Sequence, residues 1–445
     1  MSEAQPDTMN IVDIIDAKRR GQTHSQEEIA FLVHGMQQGT VRDYQVAAWL
    51  MAVCLQGLNL DETTWLTEAF VRSGDQLDLS GVGGVTVDKH STGGVGDKTT
   101  LVLAPLLAAA GVKVAKLSGR GLGFTGGTID KLEAITGFET ALPKAQFLKQ
   151  VQEIGVAIGR QTGNLAPADG TMYALRDVTA TVDSIPLIAA SVVSKKIAAG
   201  ASVIVLDIKC GRGAFMKDLT QARQLAETCQ AVGQRLGKRL VTVISSMEQP
   251  LGYAVGHSVE LMEVIRTLRG EGPADLTELC QALGSIALLE AGLAKTPQDA
   301  VQQLTACVES GRALATFKAM VVAQGGDPEC LEDFSLLPQP ARISMIPSPV
   351  TGTVQSIDAL MIARAAQAVG AGRRTKEDPI DLGVGVVLHK KVGDTVQQGE
   401  TLVELYSDAA HATEAMDLLR DAFCFTEGPV TPPPLILLEP THAAP

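Results

Sequence analysis

The segment VDKHSTGGVGDKTT, from Val87 to Thr100, places three glycines directly after a short β-branched run and directly before a long apolar run. Two similar segments follow, because VKVAKL leads into SGRGLGFTGGT and VIVLDIK leads into CGRGAF. A repeated order of strand, glycine-rich loop and helix predicts a mostly parallel sheet. Ligands of such sheets bind outside the carboxyl ends of the strands, so the three loops mark the expected site.

The sequence on either side of these loops has a different pattern. From Asn10 to about Ser73, apolar residues recur at helical spacing, and Ser25 with Glu28 is typical of a capping box. ADGTMYALRDVTATVDSIPLIAASVVSKKIAAG also has a helical pattern, whereas the chain is β-rich from about Ser348. The predicted fold class is therefore α/β, with a helical lobe, a larger α/β lobe that has a mostly parallel or mixed sheet, and a β-rich C-terminal subdomain.

The boundaries of these parts follow from where the patterns change. We predict a helical lobe at residues 1–73 and 166–200, and an α/β lobe at residues 78–165 and 201–344. The C-terminal subdomain at residues 345–445 is expected to be barrel-like and packed with the α/β lobe. Its segment HKKVGDTVQQGETL resembles a carrier-domain hairpin of the lipoyl or biotinyl type, but it has no acceptor-lysine turn and is interpreted as structural.

Composition limits the class of partner. The 445 residues are 45% hydrophobic and carry a formal net charge of −13, which argues against nucleic acid or an anionic membrane as the main partner. The 7 cysteines show no CxxC spacing, which favours reduced thiols in the cytoplasm over disulfides or a zinc site. Because the segment MSEAQPDTMN is acidic and polar, no signal peptide is expected, and no apolar run reaches membrane-spanning length. A small-molecule ligand is expected.

The glycine loops suggest the chemistry of that ligand. Successive backbone N–H groups in a loop that opens a helix bind anions, and phosphate is the expected guest. Hydroxyl side chains and Lys89 accompany the loops, although a tight turn is an equal alternative for any one loop. STGGVGD matches neither GxxxxGK[ST] nor GxGxxG, so neither a P-loop nor a dinucleotide site is predicted. The prediction is a site for free phosphate or a phosphosugar.

Four segments together resemble one family. KHSTGGVGDKTT, SGRGLGFTGGTIDKLE, RQTGNLAPADGTMYALRDVTATVDSIPLIAASVVSKK and DIKCGRGAFMK are similar to segments of the pyrimidine nucleoside phosphorylases, which include the thymidine phosphorylases. The resemblance runs from about Ile11 to the tail, and KEDPIDLGVGVVLHKKVGD resembles the broad-specificity bacterial branch. It implies reversible phosphorolysis of uridine, thymidine or deoxyuridine to free base and ribose or 2-deoxyribose 1-phosphate. It also implies phosphate as co-substrate, no organic cofactor, and a cytoplasmic homodimer active in pyrimidine salvage.

The resemblance also implies roles for individual residues. The implied catalytic residues are His90, which would face the base carbonyl, Arg176 and Lys195; the last two, with Ser191, would hold the pyrimidine edge. The residues implied to bind phosphate are Lys89, Ser91, Thr100, Ser118 and Thr128. Because these two sets lie in different predicted lobes, closure of the lobes is expected to accompany catalysis. Without the resemblance, Lys195 would be interpreted as a solvated charge, His90 as a strand-end residue and Arg120 as an ion-pair residue.

Some members of the family hold a potassium ion. The implied ligands are backbone carbonyls and one carboxylate, from Gly96, Lys98, Leu251, Ala254 and Glu263. Two residues depart from the family pattern, since Phe124 stands where relatives have histidine and Lys98 where they often have threonine or another uncharged residue. A nearby ammonium is expected to weaken binding of a cation.

Two other functions stay open from the sequence alone. A phosphoribosyltransferase of the anthranilate type has similar lobes and glycine loops, but it needs magnesium and acidic ligands near the loops. A non-catalytic nucleoside-binding protein could keep the fold without the reaction. A chelator test would discriminate the first alternative, and an assay with uridine and phosphate the second.

Overall fold

The computed structural model describes residues 9–121, 126–373, 378–408 and 412–438. These residues form 16 α-helices and 13 β-strands. The helices are α1 (Ile11–Arg19), α2 (Gln26–Gln38), α3 (Asp43–Gln56), α4 (Leu60–Arg72), α5 (Thr99–Ala109), α6 (Thr128–Leu132), α7 (Lys144–Ile154), α8 (Pro167–Val178), α9 (Ile185–Ala198), α10 (Leu219–Arg235), α11 (Ser258–Leu268), α12 (Ala274–Glu290), α13 (Pro297–Glu309), α14 (Arg312–Ala323), α15 (Ala359–Ala368) and α16 (Ala412–Asp421).

Most of the strands are shorter than the helices, and most of them follow residue 200. They are β1 (Val87–Ser91), β2 (Val114–Ser118), β3 (Val156–Arg160), β4 (Val203–Cys210), β5 (Arg239–Ser246), β6 (Ala254–Gly256), β7 (Arg342–Pro347), β8 (Gly352–Ile357), β9 (Gly385–Leu388), β10 (Thr395–Val396), β11 (Thr401–Ser407), β12 (Phe423–Thr426) and β13 (Ile436–Leu438). None of the helices in the described residues is long and apolar enough to span a bilayer.

The chain divides into two compact units. The first comprises the described residues of Met1–Asp78, Thr162–Ala201 and Arg223–Leu240, and the second those of Leu79–Gln161, Ser202–Ala222 and Val241–Pro445. The three domain ranges predicted from the sequence stay predictions.

The first unit is helical and its core is aromatic and aliphatic. Trp49, Phe70 and Leu66 are almost fully buried in a cluster to which α8 and α9 also contribute. The predicted capping box at the start of α2 is confirmed, because the Ser25 hydroxyl accepts from the Glu28 N–H and the Glu28 carboxylate accepts from the Ser25 N–H. Apolar residues at helical spacing thus bury one face of each helix in this unit.

The second unit is built on sheets of mixed direction. In the sheet with order β1-β4-β5-β13, β1 pairs in parallel with β4 and β13 pairs antiparallel with β5. A separate parallel pair joins β2 to β3. The apolar helix α5 contacts α12 and α14 and is buried along most of its length. Each of the three glycine loops begins at the carboxyl end of a largely buried strand, as the sequence pattern predicted.

The C-terminal part of the second unit is β-rich. Its strands form one sheet of order β10-β8-β12 and, together with β6 from earlier in the chain, one of order β6-β9-β11-β7, with antiparallel pairing. The predicted class, α/β with a helical part and a β-rich C-terminal part, is confirmed, although none of the sheets in the described residues closes into a barrel.

Candidate functional site

The first glycine loop has a conformation that requires glycine. Gly93 and Gly96 have φ values of 92° and 71°, in the left-handed region that favours glycine. A Cβ on Gly96 would lie 2.6 Å from the Leu251 carbonyl oxygen. At the start of the loop, Thr92 N–H donates to the Asp207 carbonyl at 3.0 Å and its hydroxyl accepts from Lys209 N–H at 2.9 Å. The loop is thereby fixed against the end of β4.

Lys89 lies at the centre of a charged cluster beneath this loop. Its ammonium donates to the Thr99 hydroxyl and lies 3.8 Å from the Asp97 carboxylate and 3.7 Å from that of Asp207. Lys209 lies 2.7 Å from the same Asp207 carboxylate and 3.9 Å from Asp97. Two ammonium groups and two carboxylates thus balance each other in a buried network.

This network determines the ionisation of Asp97. Burial raises the pKa of its carboxyl, but Lys209, Lys89 and hydrogen bonds from Ser91 and Thr99 outweigh burial and hold the pKa well below its ordinary value. Asp97 also accepts from the N–H of Thr99 at 3.2 Å and so shapes the entry to α5. The sequence analysis did not identify Asp97 as a site residue. Its position in the glycine-loop segment GVGDKTT could have indicated it.

Partly accessible hydroxyls lie at the carboxyl ends of two adjacent strands. Residues Thr86 and Lys113 form a parallel bridge, and the Lys116 ammonium donates to the Lys89 carbonyl at 2.6 Å. Strands β1 and β2 therefore run side by side and end at Ser91 and Ser118. The other predicted hydroxyls, Thr100 and Thr128, are partly exposed near the starts of α5 and α6.

His90 and the second glycine loop complete this part of the site. His90 is partly exposed on β1 and pairs in register with Leu206. In the second loop, Arg120 lies in ion pairs with Asp130 at 3.0 Å and Glu133 at 2.6 Å, as expected for a structural residue. Phe124, the predicted departure from the family, lies outside the described residues.

Helices α8 and α9 of the first unit bring together the three residues predicted to hold the base. The Lys195 ammonium donates to the Ser191 hydroxyl at 3.1 Å and lies 2.5 Å from the Asp169 carboxylate. Lys195 and Arg176 each lie 5.7 Å from the ring centre of Tyr173. The sequence did not identify Asp169 or Tyr173, although their spacing from Arg176 on one helix places all three on one face.

Arg176 is held by the backbone. Its guanidinium donates to the carbonyl oxygens of Thr181 at 3.2 Å, Val182 at 2.6 Å and Leu187 at 3.2 Å. Within the described residues, these bonds engage three of the five N–H donors of an arginine. Burial lowers the pKa of Arg176 below its ordinary value, while Asp169 and Tyr173 act in the opposite direction.

The residues implied as potassium ligands surround a lysine. The Lys98 ammonium donates to the carbonyl oxygens of Leu251 at 3.0 Å and Ala254 at 2.9 Å, and it also bonds the Glu263 carboxylate. Gly96, the remaining implied ligand, packs against the same two carbonyls. Elsewhere in the described residues, no cluster of three or more His, Cys, Asp or Glu side chains could hold a metal ion.

Family profiles match most of the chain. The profile described as "Glycosyl transferase family, a/b domain" matches residues 83–314, and "Glycosyl transferase family, helical bundle domain" matches residues 12–74. "Pyrimidine nucleoside phosphorylase C-terminal domain" matches residues 353–425. By class, the protein is a glycosyl transferase.

Its relatives narrow the class further. The pyrimidine-nucleoside phosphorylase of Geobacillus stearothermophilus is 50% identical over 428 residues, which cover 96% of this chain and 99% of that protein. Those of Staphylococcus haemolyticus and Bacillus subtilis are 50% and 51% identical and cover 95% and 93% of this chain and 98% and 95% of their own lengths. The chain belongs to the pyrimidine-nucleoside phosphorylase family, and the resemblance inferred from its motifs is confirmed.

A solved structure shares the fold at much lower identity. Anthranilate phosphoribosyltransferase from Thermus thermophilus aligns with a TM-score of 0.57 at 20% identity, over 70% of this chain and 99% of that one. At this identity the likeness shows the fold alone, and the phosphoribosyltransferase alternative is not favoured.

Proposed function

We propose that this protein catalyses the reversible phosphorolysis of uridine, thymidine and deoxyuridine, giving free base and ribose or 2-deoxyribose 1-phosphate. Membership of the family over nearly the whole chain supports the reaction class. The observation that carries the proposal in the structure is the cluster of Arg176, Ser191 and Lys195 on α8 and α9. Such donors match the O4 and N3 edge that uracil and thymine share.

The chemistry demands two kinds of group. Departure of the base leaves negative charge on the pyrimidine, so fixed cations that stabilise this charge accelerate the reaction. We propose that Arg176 and Lys195 supply this charge, with His90 donating to the carbonyl O2. Arg176 suits the role because its backbone bonds fix the guanidinium before the substrate binds.

The nucleophile needs a separate set of donors. We propose that Lys89 and the hydroxyls of Ser91, Thr100, Ser118 and Thr128 bind the phosphate co-substrate. Support comes from the glycine loop, which is anchored to β4, and from the hydroxyls at the ends of the parallel strands β1 and β2. We further propose, from the family resemblance, that the protein acts as a homodimer in the cytoplasm and serves pyrimidine salvage.

A substrate panel tests the proposal. Base release is measured with uridine, thymidine, deoxyuridine, cytidine, inosine and adenosine, each with and without phosphate. We expect phosphate-dependent release from the first three and little from cytidine, because its amino donor would face the donors of Arg176 and Lys195. Inosine and adenosine are expected to give no release. Cleavage of inosine as fast as uridine would contradict the assignment of the base-binding residues.

A further inference from the structure

Lys98 has the surroundings of a bound cation. Its side chain is fully buried, and its ammonium meets three oxygens: the carbonyls of Leu251 and Ala254 and the carboxylate of Glu263. An ammonium has three N–H donors and no acceptor, so these three oxygens satisfy it completely. The Glu263 carboxylate supplies the opposite charge for this buried ammonium.

The surrounding backbone leaves little space for a second cation. A Cβ on Gly252 would lie 2.3 Å from a Glu263 carboxylate oxygen and 3.0 Å from the Lys98 nitrogen. The Glu263 carboxylate is fixed by the N–H of Tyr253 at 2.9 Å and by that of Ala254 at 3.3 Å. Three of the five implied ligands, the carbonyls of Leu251 and Ala254 and the Glu263 carboxylate, are therefore already in contact with the ammonium.

The position of Lys98 connects this contact to the proposed phosphate loop. Lys98 directly precedes α5 and lies between Asp97 and Thr99, both of which belong to the network around Lys89. Its side chain reaches the segment that contains Leu251 and Ala254, so it links the loop to the start of β6. A potassium ion held by the same oxygens would make this link without a covalent tether.

We propose that the Lys98 ammonium takes the place of a monovalent metal ion, so that this phosphorylase binds no potassium here and needs none for activity. The part of the inference that concerns activity rests on the proposed function, whereas the part that concerns binding does not. Replacement of Lys98 by a shorter residue whose side chain carries an oxygen should open a cation site lined by the Leu251 and Ala254 carbonyls and the Glu263 carboxylate. A residue of similar length without charge should not.

Thermal unfolding tests the binding directly. The parent, Lys98→Thr and Lys98→Met are melted in potassium chloride and in choline chloride of equal ionic strength. Potassium is expected to raise the melting temperature of Lys98→Thr by at least about 3 °C and to leave the parent and Lys98→Met unchanged, since only a ligand of the folded state stabilises it. Lys18→Met is the matched control, because Lys18 is also buried and pairs with Glu62 at 2.6 Å. No hydrogen bond from Lys18 to a carbonyl is seen within the described residues, so this variant should lose stability equally in both salts.

The outcomes separate this inference from the proposed function. A parent protein that potassium stabilises, or a Lys98→Thr variant that it does not, would overturn the inference. A Lys98→Thr variant that stays unfolded in both salts while Lys98→Met and Lys18→Met fold would overturn it too, because potassium should restore the missing link. The rate of uridine phosphorolysis by the parent is expected to be equal in the two salts. If the parent protein shows no phosphorolysis in either salt, the proposed function is contradicted. The inference about potassium binding is then still decided by the melting temperatures.

Discussion

The Lys195 ammonium on α9 lies 2.5 Å from the Asp169 carboxylate on α8, so the two helices that carry the proposed base-binding residues are joined by an ion pair. Asp169 is buried, whereas Lys195 is partly exposed. The lysine therefore has two partners in this geometry, Asp169 behind it and the Ser191 hydroxyl beside it. Asp169 is a positioning residue for the cation.

The two partners of this ion pair should be coupled in their contributions to the free energy of unfolding. Lys195→Met leaves a buried carboxylate without its cation and is expected to lower the free energy of unfolding by about 1–3 kcal/mol. The double variant with Asp169→Asn should recover part of this loss, because no charge is then left unpaired. Urea unfolding of the parent, both single variants and the double variant measures the coupling. Strictly additive effects would mean that the pair does not act as a unit.

Lys89 should be needed for the reaction. Lys89→Ala is expected to reduce kcat/KM at least about 10²-fold, since a fixed cation at the proposed phosphate site is lost. Lys113→Ala is the control, because Lys113 lies in the same unit and, within the described part of the chain, its ammonium donates to the Gln152 carbonyl at 2.7 Å. Circular dichroism shows whether both variants fold. A folded Lys89→Ala protein with parental kcat/KM would exclude Lys89 from phosphate binding.

Arg176 should not tolerate lysine. An ammonium cannot reproduce the planar donors that reach the carbonyls of Thr181, Val182 and Leu187, so Arg176→Lys is expected to cost about 1–3 kcal/mol of stability and to raise the KM for uridine. Arg72→Lys, at an exposed ion pair with Glu68, should change stability by less than about 0.5 kcal/mol. Equal melting temperatures for the two variants would contradict the role of Arg176.

His257 should contribute to acid sensitivity. Burial lowers its pKa to about 4, from an ordinary value of 6.5, and neither ring nitrogen has a hydrogen-bond partner within the described residues. The unfolded chain therefore takes up a proton as the pH falls below about 6.5, while the folded protein does not until about pH 4. The stability that the neutral ring supports is present above pH 6.5 and is lost progressively toward pH 4, by up to about 3 kcal/mol.

A variant without the imidazole measures this contribution. Between pH 7 and pH 4, the unfolding free energy of His257→Gln should fall less steeply than that of the parent, as determined by urea titration at each pH. Parallel curves would show that His257 titrates alike in both states.

The sequence predicted the fold class, the order of strand, loop and helix, and the family. These features depend on local patterns, as the capping box of Ser25 and Glu28 illustrates. Lys89 was identified from the sequence but the network around it was not, because Asp207 and Lys209 lie more than a hundred residues from the glycine loop and only the parallel pairing of β1 with β4 brings them together. Local spacing carries no information on such contacts.

The implied potassium site shows a second limit of prediction from sequence. The family resemblance implied Gly96, Lys98, Leu251, Ala254 and Glu263 as one group, and the structure places atoms of the other four around the Lys98 side chain. From the sequence we predicted only that the Lys98 ammonium lies near the implied potassium site. That it occupies the space between the implied ligands depends on tertiary packing, which the sequence does not show. The assigned roles of the site residues stay predictions.

The proposed phosphorolysis is tested most sharply by a ³¹P nuclear magnetic resonance time course with uridine and inorganic phosphate. We predict that the inorganic phosphate signal falls as a sugar 1-phosphate signal grows, with one uracil released for each phosphate consumed. Adding uracil and ribose 1-phosphate should regenerate uridine and phosphate. Uracil release with no loss of inorganic phosphate, or no release from uridine at all, would contradict the proposed reaction.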